Sequence, residues 1–381
     1  MEEDIFLKNW KHFKTKIPHR FEPYSKRNWG SSLHSLCSYQ GKMKPSLVHH
    51  LISLLSNKNN IVLDPFSGSG TVLLESAINN RNSIGFDIST IATCISKAKV
   101  SNFNKKKIKK IIIDLKNYLK NNKPTKKTLK DAKEVCFNKN IKDYFEKNTY
   151  LEVLLARDFF IKNLDITSAD WCLVFSCMLH ILHGNRPYAL SRRSHPLTPY
   201  APTGPYIKKS VIRLLENKVD KSINANRGDD FKTGKVFQAD VMKKWKIKDG
   251  SIDFILTSPP FAKSTKFYMS NWMRFWFAGW SKLDFDKKSI NYVEKKQLKD
   301  FSIYHHIFEE AFRVLKNNKF VIFHLGLNSK FNMGKELIPI GKKYFKFIDL
   351  FDETVEHCES HGIKDKGDTT QHQYLVLQKL H

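Results

Sequence analysis

Apolar residues recur along the chain with two periods, and the switches between them mark out alternating strands and helices. Short apolar runs bounded by Gly, Pro, Asn or Asp predict strands at residues 61–63, 83–87, 236–240, 251–256 and 319–324. Residues 345–350 and 374–378 predict an antiparallel pair that closes the sheet. Between them, Leu47, Leu51 and Leu54 or Leu55 fall on one side of a helix entered from the turn Tyr39-Gln40-Gly41-Lys42-Met43-Lys44-Pro45. Further helices are predicted from Val72 to about Ile78, over residues 171–182, and ending near residues 311–316. The order strand, helix, strand is the opening of a Rossmann-like parallel sheet, which places ligands at the carboxyl ends of its strands. Residues 101–231 break the alternation. A lysine-rich helical stretch runs past Pro124 to about residue 160, and residues 187–205 hold five prolines, which exclude regular helix or central strand. This region reads as an insertion, flanked by a discontinuous catalytic domain of residues 1–100 and 232–381. Residues 1–30 show no clear period and read as an arm for a partner.

Two strand ends carry the chemistry. Ile61-Val62-Leu63-Asp64-Pro65-Phe66-Ser67-Gly68-Ser69-Gly70-Thr71 is a strand followed by a small-residue turn whose glycines let backbone approach a ligand. Leu73 stands where a dinucleotide fingerprint has its third glycine, and no Gly-Lys-Ser/Thr follows, so the turn alone says only that the ligand is nucleotide-like. Asp87 lies 19 residues beyond Gly68, a separation at which a second strand offers a carboxylate to a ribose hydroxyl pair. The other end is Ile252-Asp253-Phe254-Ile255-Leu256-Thr257-Ser258-Pro259-Pro260-Phe261. Two prolines continue neither ladder nor helix, so they form a rigid corner whose carbonyls can accept from the amino group of a flat base, with Phe261 to stack on its ring.

Composition narrows the partner. Of 381 residues, 65 are Lys or Arg and 37 Asp or Glu, a formal charge of +28, which favours a polyanion. Hydrophobic residues make up 41%, enough for a large core. No apolar run reaches the roughly 18 residues of a membrane span, and the start Met1-Glu2-Glu3-Asp4 is acidic where a secretory signal is basic, so the expected location is cytoplasmic, beside the nucleoid of a bacterium or archaeon. The six cysteines form no CxxC pair, and none follows a proline as a thiolate nucleophile for ring-carbon methylation usually does. His357, Cys358 and His361 lack a fourth ligand at useful spacing, so no metal is expected.

The glycine turn and the Ser-Pro-Pro-Phe corner together resemble the signature motifs of S-adenosylmethionine-dependent amino DNA methyltransferases, and Ser258 resembles the cytosine-N4 branch. The resemblance covers roughly residues 31–90 and 180–325. It implies an α/β class I methyltransferase sheet with a largely helical and loop insertion, S-adenosylmethionine as donor and S-adenosylhomocysteine as product. It also implies double-stranded DNA as partner and allows a cognate restriction endonuclease. Asp64, Phe66, Ser67, Gly68, Gly70 and Thr71 would surround the methionine end. Asp240 would lie near the adenine or the target base, although a turn acid is its ordinary role. Ser258 and the Pro259 carbonyl would accept the two hydrogens of a flipped cytosine's amino group. Arg192, Arg193, Lys208, Lys209 and Arg274 are candidates for DNA contact within or near the insertion, the candidate target-recognition region. The aromatic stripe Trp272, Trp276 and Trp280 reads as core. An adenine-N6 enzyme, an RNA base methyltransferase and a catalytically silent DNA-binding subunit remain as alternatives.

Overall fold

The computed structural model describes residues 2–26, 28–39, 41–195, 200–262, 267–329, 331–355 and 369–380. The predicted runs become strands β1 (Ile61–Asp64), β2 (Asn82–Asp87), β3 (Lys235–Gln238), β4 (Ile252–Thr257), β5 (Leu315–Asn328), β7 (Lys346–Thr354) and β8 (Thr369–Gln378), and a two-residue strand β6 (Phe331–Asn332), not predicted, joins them. They form one sheet in the order β3-β2-β1-β4-β5-β8-β7, with β6 paired to the end of β5. The first five in that order run parallel, and β8 runs antiparallel to both β5 and β7. This is the expected class I methyltransferase sheet, closed at one side by an antiparallel hairpin. Its parallel connections bring the carboxyl ends of β1, β2 and β4 to one edge.

The helices are α1 (Glu2–Lys16), α2 (Pro45–Leu55), α3 (Thr71–Ile78), α4 (Thr90–Val100), α5 (Lys105–Asn121), α6 (Lys126–Glu134), α7 (Lys147–Asn163), α8 (Ala169–Ile181) and α9 (Val211–Ile223). After β4 come the short α10 (Phe267–Ser270), α11 (Trp272–Phe277), α12 (Lys282–Lys287) and α13 (Val293–Lys296), then α14 (Tyr304–Val314) and α15 (Met333–Gly341). Among the described residues, no helix is long and apolar enough to cross a membrane.

Strand alternation divides the core between the two faces of the sheet. Phe254, Leu256, Phe320 and Ile322 pack against α1 and α2, whereas Ile255, Val321 and Phe323 meet α14 and α15. Within the N-terminal region, α1 packs onto the sheet by its aromatic face. Phe6, Trp10 and Phe13 are buried, Phe6 stacks on Phe320 at 3.6 Å between ring centres, and Trp10 Nε1 donates to Asp349 at 2.8 Å. Each such ring contributes about 1.5–3 kcal/mol by leaving water, so α1 is a structural cover for β5, β8 and β7.

The inserted helices share one apolar cluster with α4 and with the short helices after β4. Trp272 and Trp276 lie inside it, as their spacing predicts. Arg157 of α7 is fully buried there, donating to the Trp276 carbonyl at 2.8 Å and to Thr128 Oγ1 and Asp131 Oδ2 at 2.7 Å each. The helices of residues 101–231 are therefore packed onto the rest of the chain rather than tethered beside it.

Candidate active site at the ends of β1 and β4

β1 and β4 are hydrogen-bonded neighbours, with Leu63 opposite Ile255, so the residues that follow them emerge side by side. Gly41, Lys42, Met43, Asp64, Phe66, Ser67, Gly68, Ser69, Thr71, Val72 and Ser258 line a single pocket. The glycine turn and Ser258, at the head of the proline corner, line one pocket, whereas Pro259, Pro260 and Phe261 are not among its lining residues.

The turn needs its glycines. Gly68 and Gly70 hold φ of 47° and 72°, a region costly for residues with a Cβ. A Cβ at Gly70 would also lie 2.9 Å from the Ser96 Cα, so the close approach of the turn to α4 has no room for one. Phe66 N–H donates to Asp64 Oδ1 at 3.1 Å, and Thr257 Oγ1 donates to the same oxygen at 2.6 Å, tying the β1 end to the β4 end. Burial pushes the Asp64 carboxyl up to about 7 against those hydrogen bonds, with the nearby Asp87 charge adding to the rise.

Asp87, at the end of β2, stands behind the glycine turn and is not itself among the residues lining the pocket. It accepts from the Gly68 N–H at 3.0 Å and the Ser89 N–H at 2.8 Å, and burial raises its carboxyl to about 6. A carboxylate has about four acceptor positions, so these two bonds leave capacity for ribose hydroxyls. Buried Tyr39 and Tyr292 stand close enough for the Asp87 charge to raise both phenols, although burial is the larger cause. Asp240 lies beyond the end of β3. It accepts from Met242 N–H at 2.9 Å and stands 3.8 Å from Lys296 Nζ, the turn role of an acid, and it does not line the pocket.

At the corner, Gln297 Nε2 donates to the Pro260 carbonyl at 3.0 Å and Tyr304 donates to Gln297 at 2.8 Å, so two side chains from beyond the short helices fix the proline bend. The Phe261 ring rests on β5, where a Cβ on Gly326 would clash with it, and sits 5.7 Å from the His324 ring. Ser258 Oγ lies 3.2 Å from His324 Nδ1. Gln297 and His324 had no sequence signal as site residues, because each lies far along the chain from both motifs.

The basic candidates divide. Arg193 and Lys208 are exposed, and Arg192 lies over the Tyr206 ring at 4.1 Å while donating to the carbonyls of Gly204 and Asp143. Lys209 Nζ donates to the carbonyls of Ala189 and Ser191 and so braces the loop. Pro187, Lys208, Lys209, Ser210, Arg213, Leu214 and Asn217 line an open groove of about 400 Å³ at the start of α9. Arg274 corrects the expectation of a DNA contact: it is fully buried beside Asn271, enclosed by the aromatic core of α11. Among the described residues, no group of three or more His, Cys, Asp or Glu could hold a metal; His357, Cys358 and His361 lie outside those residues.

Residues 8–98 match the DNA methylase family. A 108-residue stretch is 34% identical to the type II methyltransferase M.MjaII of Methanocaldococcus jannaschii, covering 28% of this chain and 20% of that protein. The match thus spans one fifth of the relative's length. Among solved structures, an S-adenosylmethionine-dependent methyltransferase of Methanosarcina mazei is 11% identical with a TM-score of 0.36, over 87% of this chain and 97% of that one. An rRNA methylase of Streptococcus thermophilus is 7% identical with a TM-score of 0.34, over 89% and 98%. Likenesses at those scores carry no argument about substrate. The strand order carries the fold, and the N-terminal quarter of the chain is similar to the DNA methylase family.

Proposed function

We propose that this chain transfers a methyl group from S-adenosylmethionine to the exocyclic amino group of a base in double-stranded DNA, and that the base is cytosine, attacked at N4. The observation that carries the reading is the shared pocket: Ser258 faces the same space as the Asp64-to-Thr71 turn. The donor's methionine end lies along Asp64, Phe66, Ser67, Gly68, Gly70 and Thr71, and its ribose faces Asp87. Its ammonium and sulfonium charges offset the buried carboxylates of Asp64 and Asp87.

The chemistry is one of placement. An amino nitrogen conjugated with its ring is a poor nucleophile, and accepting its two hydrogens at Ser258 Oγ and the Pro259 carbonyl localises its lone pair toward the methyl group. The base must leave the duplex to reach the corner, and Phe261 replaces part of the lost stacking. The formal charge of +28 favours the DNA. Arg192, Arg193, Lys208 and Lys209 are assigned to phosphate contact or loop support on that duplex, and residues 101–231 to choosing its sequence.

The test is to incubate the purified chain with mixed-sequence duplex and methyl-labelled donor, then digest and identify the labelled nucleoside by mass spectrometry. N4-methylcytosine is expected. N6-methyladenine would move the target to adenine, and label on RNA alone would replace DNA as substrate.

The raised carboxyls give a second test. A folded-state value above the unfolded one means that the contribution of these two groups to the stability of the unliganded protein is full below about pH 4 and lost as pH rises through about 6 and 7. Donor binding has the opposite sign, because the cationic ligand wants the carboxylates ionised. Calorimetry is expected to find donor affinity falling several-fold to about tenfold between pH 7.5 and 5.5. Asp87→Asn should weaken binding and remove the lower part of that fall; constant affinity in the native protein would contradict the assignment.

A further inference from the structure

His324 interrupts an apolar run. Phe320, Val321, Ile322 and Phe323 before it and Leu325 after it are all buried, and His324 itself is 3% exposed. A packing position would be filled more cheaply by another aliphatic side chain, since a buried imidazole must lose its water. The strand register explains where it points. Thr257 pairs with Phe323 across β4 and β5, so the next residue of each strand, Ser258 and His324, are neighbours as well. Their side chains meet, with Ser258 Oγ 3.2 Å from His324 Nδ1.

The surroundings keep the ring neutral. From β8, the His372 ring stands 4.7 Å away and the Tyr374 ring 5.3 Å; from the corner, Phe261 packs at 5.7 Å. Glu353 of β7 is held by His19 at 2.8 Å, by Arg20 at 2.7 Å and by Tyr374. Burial is the largest cause pressing His324 well below its ordinary value, and the His372 and His19 charges add to it while Glu353 opposes. A neutral imidazole beside a hydroxyl can accept its hydrogen.

We infer that His324 is a positioning residue for methyl transfer, whose Nδ1 accepts the Ser258 hydroxyl hydrogen and so turns the free Oγ lone pairs toward the amino group of the target base. The inference rests on the function proposed above. Methyl transfer breaks the donor's sulfur–carbon bond, returns that electron pair to sulfur, and forms the nitrogen–carbon bond with the amino lone pair. The nitrogen must then shed a proton. Water takes that proton as the methylated base leaves the corner, and the His324 ring stays neutral throughout.

The test is a double-mutant cycle on DNA methylation with Ser258→Ala, His324→Ala and His324→Asn. His324→Ala is expected to lower kcat by about 10²-fold, with KM for donor and DNA within about twofold. In the Ser258→Ala background it should have almost no further effect, because the residue acts through that hydroxyl. His324→Asn, whose amide oxygen accepts from Ser258 but takes no proton, should recover part of the loss. Native kcat should stay flat from pH 6 to 8 on the account of this ring. Equal losses from His324→Ala in both backgrounds, or kcat within threefold of native, would overturn the inference; should His324→Ala fail to fold, the same comparison with His324→Asn decides it. A native chain that methylates DNA beside an indifferent His324 variant sinks this inference alone, whereas a native chain that methylates no DNA sinks the preceding reading and this one together.

Discussion

Ser258→Ala is expected to lower the rate of methyl transfer to DNA by about 10²–10³-fold, the loss typical of removing one preorganised polar group from a reacting centre. Donor affinity should change by less than about twofold, because the contacts proposed for the donor lie mainly on the turn after β1 and on Asp87. The asymmetry is what makes the substitution informative. Ser258 follows directly on β4, and its backbone is held by the flanking strand and by the Gln297-braced prolines, so removing one oxygen leaves the corner's shape in place. Single-turnover transfer of labelled methyl groups, together with calorimetric donor binding, checks both halves. Native rates in the variant would remove Ser258 from the reacting centre, and lost donor binding would make it a cofactor residue instead.

Arg157→Ala should cost about 3–5 kcal/mol of stability, the usual penalty for stripping one partner from a buried ion pair. The guanidinium has three partners on two elements: the Trp276 carbonyl of α11, and Thr128 and Asp131 of α6. It also lies 5.2 Å from the centre of the Trp276 ring. Its loss leaves the Asp131 carboxylate, 3% exposed, with the surface Lys127 as its one remaining ion-pair partner among the described residues. Because α11 follows the catalytic corner, urea unfolding followed by far-ultraviolet circular dichroism and by tryptophan fluorescence should shift together in the variant. Two separated transitions, with only one moved, would mean that the insertion folds independently of the sheet.

The strands were legible where turn chemistry bounded them. β1, β2, β4 and β5 each read as an apolar run ended by Gly, Pro, Asn or Asp, and the antiparallel pair near the C-terminus followed from its two late runs. The two site motifs were legible for the same reason, since strand ends in a parallel sheet share an edge. α1 was missed although Phe6, Trp10 and Phe13 recur at spacings of four and three, the stripe of an amphipathic helix. The basic residues interleaved among them drew attention to charge instead. Arg274 was misplaced because α11 is aromatic almost all round, which marks a buried helix and takes its arginine inside with it. Asp240 was balanced between ligand and turn, and the Met242 N–H accounts for the turn. Gln297 and His324 were out of reach, for their roles depend on how elements after the corner fold back over it, and a single sequence carries no periodic trace of that.

The late arrival of β8 governs how the protein can be made. This strand sits between β5 and β7, so a growing polypeptide leaves the long apolar flank of β5 without its mate until residues 369–378 have emerged. Until then α1, synthesised long before β8, has only part of the surface it covers. Premature termination anywhere after β5 would therefore release a species with an open, sticky margin prone to associating with its own kind, and expression at low temperature with slowed synthesis should raise the yield of usable material.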